Sequence, residues 1–361
     1  MKTLKKAGAL LLAALMIVSL LAACGGSKPT QGSTTQPSGS AAQPSDTASG
    51  SAGGSENAGQ EQQPTHTPAD FSIAALKGPT AMGLVQLMET VDKGGKTANN
   101  YEFTLAASAD EVNPKIIQGQ LDMACVPANV ASLLYSKTNG GVQVLAVNTL
   151  GVIYIVENGD SIKSIQDLSG KTIVAAGKGQ TPEYGLVYLL EQYGVKDVNI
   201  EWKSEHSECV AALASGAATI AMIPQPFVTV AKNQIPELRT ALDLTKEWEN
   251  LDNGSSMLTG VIVARKEVVE ANPAAVDAFL QEYAASVEWV NGNVSEAAKL
   301  IGDRGIVATA VAEKALPYCN IVCITGSEMK EKLSGYLEVL YAQNAQAVGG
   351  ALPGEDFYYG A

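Results

Sequence analysis

Short apolar stretches alternate along this chain with longer ones in which apolar residues return at helical spacing, so strands are expected to alternate with amphipathic helices. Residues 71–76 predict a strand, Lys77-Gly78-Pro79-Thr80 a tight turn, and the periodic stretch through Met88 a helix. Residues 101–107 predict the next strand and 111–118 a helix; 121–126 predict a short buried strand ending at Pro127, and 129–135 a further helix. Residues 142–156 form one long strand-like run broken at Asn148-Thr149-Leu150-Gly151. A second round then begins, with a strand over 172–175, the turn Gly177-Lys178-Gly179-Gln180-Thr181-Pro182, and a helix over 183–193. A strand over 198–203, a helix over 208–214, a strand over 219–223 and Pro224-Gln225-Pro226 before another helix complete it.

The two rounds match in register. Gly119, Asp122, Met123, Ala124 and Pro127 stand 97 positions before Gly216, Thr219, Ile220, Ala221 and Pro224, and Gly78-Pro79-Thr80 stands 101 before Gly179-Gln180-Thr181. Two motifs in the same order at nearly the same offset predict two lobes on one plan. Alternation of short apolar strands with helices predicts parallel, doubly wound sheets. The expected fold is therefore α/β, two doubly wound lobes joined by a two-strand hinge, with residues 70–150 and 256–361 in lobe I and 151–255 in lobe II. The strand-like runs 145–156 and 254–264 are expected to be the paired crossings that form the hinge. After Arg265 the pattern is helical, over 273–289, 295–301, 309–316 and 327–341, and these helices are expected to pack on lobe I.

The first residues follow a different pattern. Lys2, Lys5 and Lys6 precede a 17-residue apolar run, 7–23, that stops at Leu21-Ala22-Ala23-Cys24. That is the layout of a signal peptide, residues 1–23, with a lipoprotein cleavage box, and the run is short for a bilayer span. Cys24 is then the acylated N-terminus of the mature chain and a membrane anchor. From there to residue 69 the chain is Ser, Gly, Thr, Gln, Pro and Ala with almost nothing large and apolar, which predicts a disordered tether. As a Gly/Ser-type coil it would span about 35–40 Å.

With the three leading lysines set aside, 37 acidic side chains face 21 basic ones, an excess of 16 negative charges. Such a surface disfavours nucleic acid and anionic lipid, and no basic stripe offsets it. Cys125 lies in an apolar run and reads as an inert core residue. Cys319 and Cys323 have no histidine or second cysteine pair near them, so no metal site is expected. No cofactor fingerprint appears in a fitting context: Gly177-Lys178-Gly179 lacks a third glycine and an acidic residue at ribose distance, and reads as a turn. The two histidines are His66 in the tether and His206 beside Glu205 and Glu208, which reads as a solvated surface residue.

In an open parallel sheet, ligands bind beyond the carboxyl ends of the strands, where loops enter helix N-termini. Four turns have that form, two in each lobe, and supply the candidate contacts: Gly78, Pro79, Thr80, Ala81 and Met82; Pro127 and Asn129; Gln180, Thr181 and Pro182; and Gln225 and Pro226. Thr80 and Thr181 are also plausible N-caps. Glu183 in a first turn complements the helix dipole but weakens attraction for an anion there. Arg239, Arg265 and Arg304 all lie outside the four turns. Without a guanidinium clamp, the site points to a neutral or heteroaromatic ligand, or to an anion held by backbone N–H groups. Trp202, Tyr184 and Phe227 are near enough to supply an aromatic wall.

Over about residues 71–341 the chain resembles the periplasmic-binding-protein-like receptors related to the sulfonate, taurine, nitrate and thiamine-precursor binding proteins of ABC transporters. The likeness rests on Gly78-Pro79-Thr80, Gly119-x-x-Asp122 to Pro127, Asp167-Leu168-x-Gly170-Lys171-Thr172, Gly179-x-Thr181-Pro182-Glu183, and Asn272-Pro273 opening a long helix. It implies a type II Venus flytrap that closes on a small molecule and works as a monomer without catalysis. Its partners would be an ABC permease and its ATPase. The family also contains pyrimidine synthases, which carry a cysteine-rich iron motif and a substrate histidine, neither found here. It contains cytoplasmic menaquinone-pathway enzymes too, which would not need Cys24. A ligand-sensing lipoprotein that acts on a partner protein is the third alternative.

Overall fold

A computed structural model describes residues 66–361, so the expected signal peptide, Cys24 and most of the tether lie outside the described residues. In chain order the first pass runs β1 (Asp70–Leu76), α1 (Pro79–Met82), α2 (Val85–Asp92), β2 (Asn100–Ala106), α3 (Ala109–Ile117), β3 (Met123–Pro127), α4 (Ala128–Lys137) and β4 (Val142–Leu150). The second runs β5 (Ile153–Glu157), β6 (Thr172–Ala176), α5 (Thr181–Gln192), β7 (Asn199–Lys203), α6 (His206–Ala214), β8 (Ile220–Pro224), α7 (Phe227–Gln234), β9 (Arg239–Asp243) and α8 (Leu244–Glu249). The chain then returns through β10 (Leu258–Arg265), α9 (Lys266–Ala271), α10 (Pro273–Gly292), α11 (Val294–Asp303), α12 (Thr309–Ala315), β11 (Ile321–Ile324) and α13 (Gly326–Gln343).

These elements build two sheets, one ordered β11-β4-β10-β3-β1-β2 and the other β7-β6-β8-β5-β9. Read from β2 and from β7, the two orders superpose: β1 answers to β6, β3 to β8, and β10 to β5. The offset of 97 holds for whole elements, since β3 and β8, and α3 and α6, begin and end 97 residues apart. The strands of β3 and β8 read as unbroken apolar runs because helices cover both faces of each sheet.

The sheets are mixed rather than parallel throughout. β10 pairs antiparallel with both β3 and β4, and β5 antiparallel with both β8 and β9. Each of these strands reaches its sheet from the other lobe and enters at the cleft, so it runs against strands that end there. The expected hinge strands also belong mostly to the sheets, because pairing satisfies their backbone groups. The crossings themselves are Gly151-Val152, between β4 and β5, and residues 250–257, between α8 and β10. Four strand or helix elements fall outside the predicted spans: β9, α8, α9 and β11 are short, and β9 and β11 are edge strands whose partly exposed residues carry little periodicity.

One large apolar cluster joins α4 and α13 of the first lobe to α5 and α8 of the second. At its centre Trp248 is fully buried, with ring centroids 4.6 Å from Tyr188 and 5.8 Å from Tyr336, and its indole N–H donates to Ser255 Oγ at 2.8 Å. Trp248 thus pins the second crossing; truncating such a side chain costs roughly 3–5 kcal/mol. A second cluster packs α10 and α11 on the far face of the first sheet, as expected for the C-terminal helices, and a third lies under α6 and α7.

At the far end of β5, Glu157 is only 2% exposed. Its carboxylate accepts from the Ser161 N–H (2.9 Å) and hydroxyl (2.5 Å), the Ile162 N–H (3.1 Å) and the Arg239 guanidinium. Burial alone would raise its pKa, but these donors outweigh burial and hold it below the usual glutamate value.

Candidate functional site

The strand ends that carry the predicted turns converge between the two sheets on a cavity of about 150 Å³. Thr80 in α1, Pro127 at the end of β3 and Thr259 in β10 line it from the first lobe. From the second come Ile153 at the start of β5, Gln180, Thr181 and Pro182 at the start of α5, His206 at the start of α6, and Pro224 at the end of β8; Val152 in the crossing forms the floor between them.

Of the twelve candidate contacts, Thr80, Pro127, Gln180, Thr181 and Pro182 are therefore brought together. Ala81 and Met82 are fully buried and belong to the core behind α1, while Gly78 and Pro79 lead into that helix without lining the cavity. Asn129 faces elsewhere: it is 4% exposed and its amide donates to the Ala347 carbonyl at 3.4 Å, so it ties α4 to the C-terminal segment. Gln225 accepts from the Thr229 hydroxyl at 3.0 Å and lines an outer groove, and the buried Pro226 opens α7.

The capping roles expected for Thr80 and Thr181 are not realised. Gly78 and Gln180 occupy the N-cap positions, because Thr80 and Thr181 already have helical backbone. The Thr80 hydroxyl donates to the Leu76 carbonyl at 3.0 Å instead. Thr181 Oγ1 accepts from the Tyr336 hydroxyl at 3.0 Å, a buried bond from α13 of one lobe to α5 of the other. The lobes also touch through Asn344 and the Tyr184 hydroxyl (3.3 Å), Lys314 and Asn233 (2.8 Å), and the Tyr154 hydroxyl and the Tyr318 carbonyl (3.2 Å). Grooves of about 510 and 1050 Å³ follow these two flanks and carry the long charged side chains, such as Glu191 and Glu338 on one and Lys232 and Lys246 on the other.

His206 is the main departure from expectation. Its neighbours Glu205 and Glu208 turn away, accepting from the Ser207 hydroxyl (3.1 Å) and the Ser204 N–H (2.9 Å), so the ring is left among apolar groups. It packs on Phe227 with centroids 5.3 Å apart, and burial pushes its pKa down to about 4, which keeps it neutral at physiological pH. The expected aromatic wall is absent from the lining: Phe227 backs His206, Tyr184 faces α13, and Trp202 is half-buried on β7. One signal could have nominated His206, since the β7-to-α6 connection is a fifth strand-to-helix turn at the same sheet end. Thr259 offered no comparable signal, because only the antiparallel entry of β10 brings it to the cavity.

None of the ten lining residues carries a formal charge with His206 neutral. Glu183 folds back to accept from the Gly179 N–H at 2.5 Å, so the start of α5 has a carboxylate of its own. Among the described residues no cluster of His, Cys, Asp and Glu is arranged to hold a metal ion, and burial pushes the thiols of Cys125 and Cys319 up to about 12. The walls can enclose a small solute and hydrogen-bond it; they offer no nucleophile with an activating base.

Comparison with known proteins places this geometry. No curated protein matches the chain. Among solved structures, an ABC transporter protein from Parabacteroides distasonis superposes with a TM-score of 0.69 at 20% identity, covering 80% of this chain and 98% of its own. The periplasmic aliphatic sulphonate binding protein of Escherichia coli gives 0.65 at 16% identity over 81% and 92%. The alkanesulfonate-binding protein of Xanthomonas axonopodis pv. citri, bound to MOPS, gives 0.59 at 14% identity over 81% and 97%. At such identities the likeness is one of fold, the two-lobed type II periplasmic binding protein architecture. Residues 94–313 match the family described as ABC transporter, phosphonate, periplasmic substrate-binding protein, and the chain belongs to that family.

Proposed function

We propose that the protein is the lipid-anchored receptor of an ABC importer, which captures one small organic solute in the cavity between its lobes and delivers it to a permease driven by an ATPase. Residues 70–150 and 256–361 make lobe I and 151–255 lobe II, with Cys24 acylated and 25–69 as tether. The observation that carries this reading is that one cavity takes its walls from helix starts of both lobes, Thr80 and Pro127 on one side and Gln180, Thr181 and Pro182 on the other. A solute held there touches both lobes at once and so favours their approach. Substrate-binding proteins of ABC transporters, the family matched here, bind solutes without covalent chemistry.

The names of the relatives suggest sulfonates or phosphonates as ligands. The uncharged lining favours a small heterocycle, or an anion held by backbone N–H groups alone. A thermal-shift screen against sulfonates, phosphonates and pyrimidines tests this, since a ligand at 100 times its dissociation constant adds about 2.7 kcal/mol of stability. Small-angle scattering should then show compaction with the best hit, and a confirmed ligand that leaves the scattering unchanged would end the flytrap reading.

A further inference from the structure

Among the described residues three apolar clusters form the core, and only one of them crosses between the lobes. The second lies wholly in the first lobe, around α1, α2, α10, α11 and α12, and the third wholly in the second lobe, around α6 and α7. The crossing cluster joins the other face of the first sheet, with α4 and α13, to α5 and α8. The two flanks of the cleft are therefore built differently. On the α5–α13 flank Leu186, Leu189 and Trp248 of the second lobe are fully buried with Tyr336, Leu337 and Leu340 of the first. The second crossing is laced into the same packing: Trp248 donates to Ser255, Asn253 Nδ2 donates to the Tyr188 hydroxyl at 2.7 Å, and a Cβ on Gly335 of α13 would stand 3.0 Å from Ser255 Cβ. Parting α13 from α5 would expose these side chains to water and break the buried bond from Tyr336 to Thr181.

The α7–α12 flank gives up nothing comparable when it parts. Its bonds between the lobes run from exposed Lys314 to exposed Asn233, and from the Tyr154 hydroxyl to the carbonyl of Tyr318, a residue 57% exposed. The groove of about 1050 Å³ runs beside them. Bonds at such a surface exchange for bonds to water at little cost, and no apolar cluster bridges the lobes there.

We propose that the lobes open on one flank only: α5, α8, the second crossing and α13 form a fixed spine, and the cleft parts along α7 and α12. The inference rests on the receptor reading, in which the cavity between the lobes is the solute site. Rotation about this spine moves the start of α5 least, so Thr181 is a standing wall of the cavity whose place the bond from Tyr336 sets. Thr80 and His206 stand on α1 and α6, which share sheet faces with α12 and α7. They therefore flank the opening by which a solute enters.

Double electron–electron resonance on the detergent-solubilised full chain tests this without a ligand, once dialysis from urea has stripped any bound solute. Spin labels go on cysteines placed at exposed positions: Glu249→Cys with Glu331→Cys across α8 and α13, and Gln234→Cys with Lys299→Cys across α7 and α11. Cys323→Ser accompanies both pairs, because the other described thiols are buried. The Glu249–Glu331 pair is expected to give one narrow peak at its separation in the structure, and the Gln234–Lys299 pair a population shifted to longer distance. A long population at the Glu249–Glu331 pair would overturn the spine while leaving two moving lobes, and so the receptor reading, in place. Peaks at the structure's separations for both pairs would remove lobe motion altogether, and the receptor reading with it.

Discussion

Gly151 is where the chain first leaves one lobe for the other, and replacing it with alanine tests whether that crossing tolerates a side chain. A Cβ there would stand 2.1 Å from Thr245 Oγ1, 3.1 Å from its Cβ and 3.2 Å from its Cγ2. Neither side yields easily. Gly151 lies between β4 and β5, its carbonyl accepting from Asn320 Nδ2 at 2.6 Å, and Thr245 is 7% exposed, its N–H bonded to Asp243 at 3.1 Å. Rotating the threonine can relieve the 2.1 Å contact only by turning its Cβ hydrogen toward Gly151, and the Cβ itself stays 3.1 Å away. Overpacking of this kind costs about 1–3 kcal/mol, which is the expected loss for Gly151→Ala. Thr245→Ala alone loses a methyl, worth about 0.8 kcal/mol, but removes a hydroxyl that has no partner, so its net effect should stay within about 1 kcal/mol. In the double variant the nearest contact relaxes to the 3.1 Å Cβ, and the two changes should couple by at least about 1 kcal/mol. Urea unfolding followed by tryptophan fluorescence, to which Trp248 buried beside the other crossing contributes, measures all four corners of the cycle. Strict additivity, or a neutral Gly151→Ala, would refute the claim that the first crossing is sterically closed to any side chain.

Tyr336→Phe removes the donor to Thr181, and should lower the melting temperature by about 2–4 °C while weakening solute binding several-fold, because the bond joins the lobes; unchanged affinity would place the bond outside the bound state. Arg239→Met leaves a buried carboxylate with its Ser161 and Ile162 donors only, and should cost about 3 kcal/mol by urea unfolding at neutral pH. Since the folded pKa of Glu157 is depressed, its contribution is complete above about pH 4.3 and lost as the pH falls through the lowered value, so the parent should lose more stability on acidification than the Arg239→Met variant. Cys24→Ala should leave solute binding intact and release the protein from membranes, and unchanged membrane partition on fractionation would refute the anchor.

Half of the candidate cavity's lining was legible because its logic is local. A strand that ends in a Gly or Pro turn before a helix must present backbone donors at one end of its sheet, and that rule found Thr80, Pro127, Gln180, Thr181 and Pro182. It also nominated Asn129 and Gln225, which sit on the right turns but point at the Ala347 carbonyl and Thr229, since turn position does not set side-chain direction. His206 was misplaced for the opposite reason: its sequence neighbours are acidic and polar, yet both carboxylates are consumed by nearby backbone and hydroxyl groups, leaving the ring to Phe227.

By itself the order of residues determined the alternation of strands and helices, the repeated half-molecule at an offset of 97, and the turns that meet at the cleft, because hydrophobic period and turn chemistry are properties of short segments. Tertiary structure alone decided the mixed direction of the sheets, the bond from Tyr336 to Thr181, and the place of His206 and Thr259 in the lining of one cavity. Those features join residues far apart along the chain, and only the packing of one lobe against the other brings them within reach.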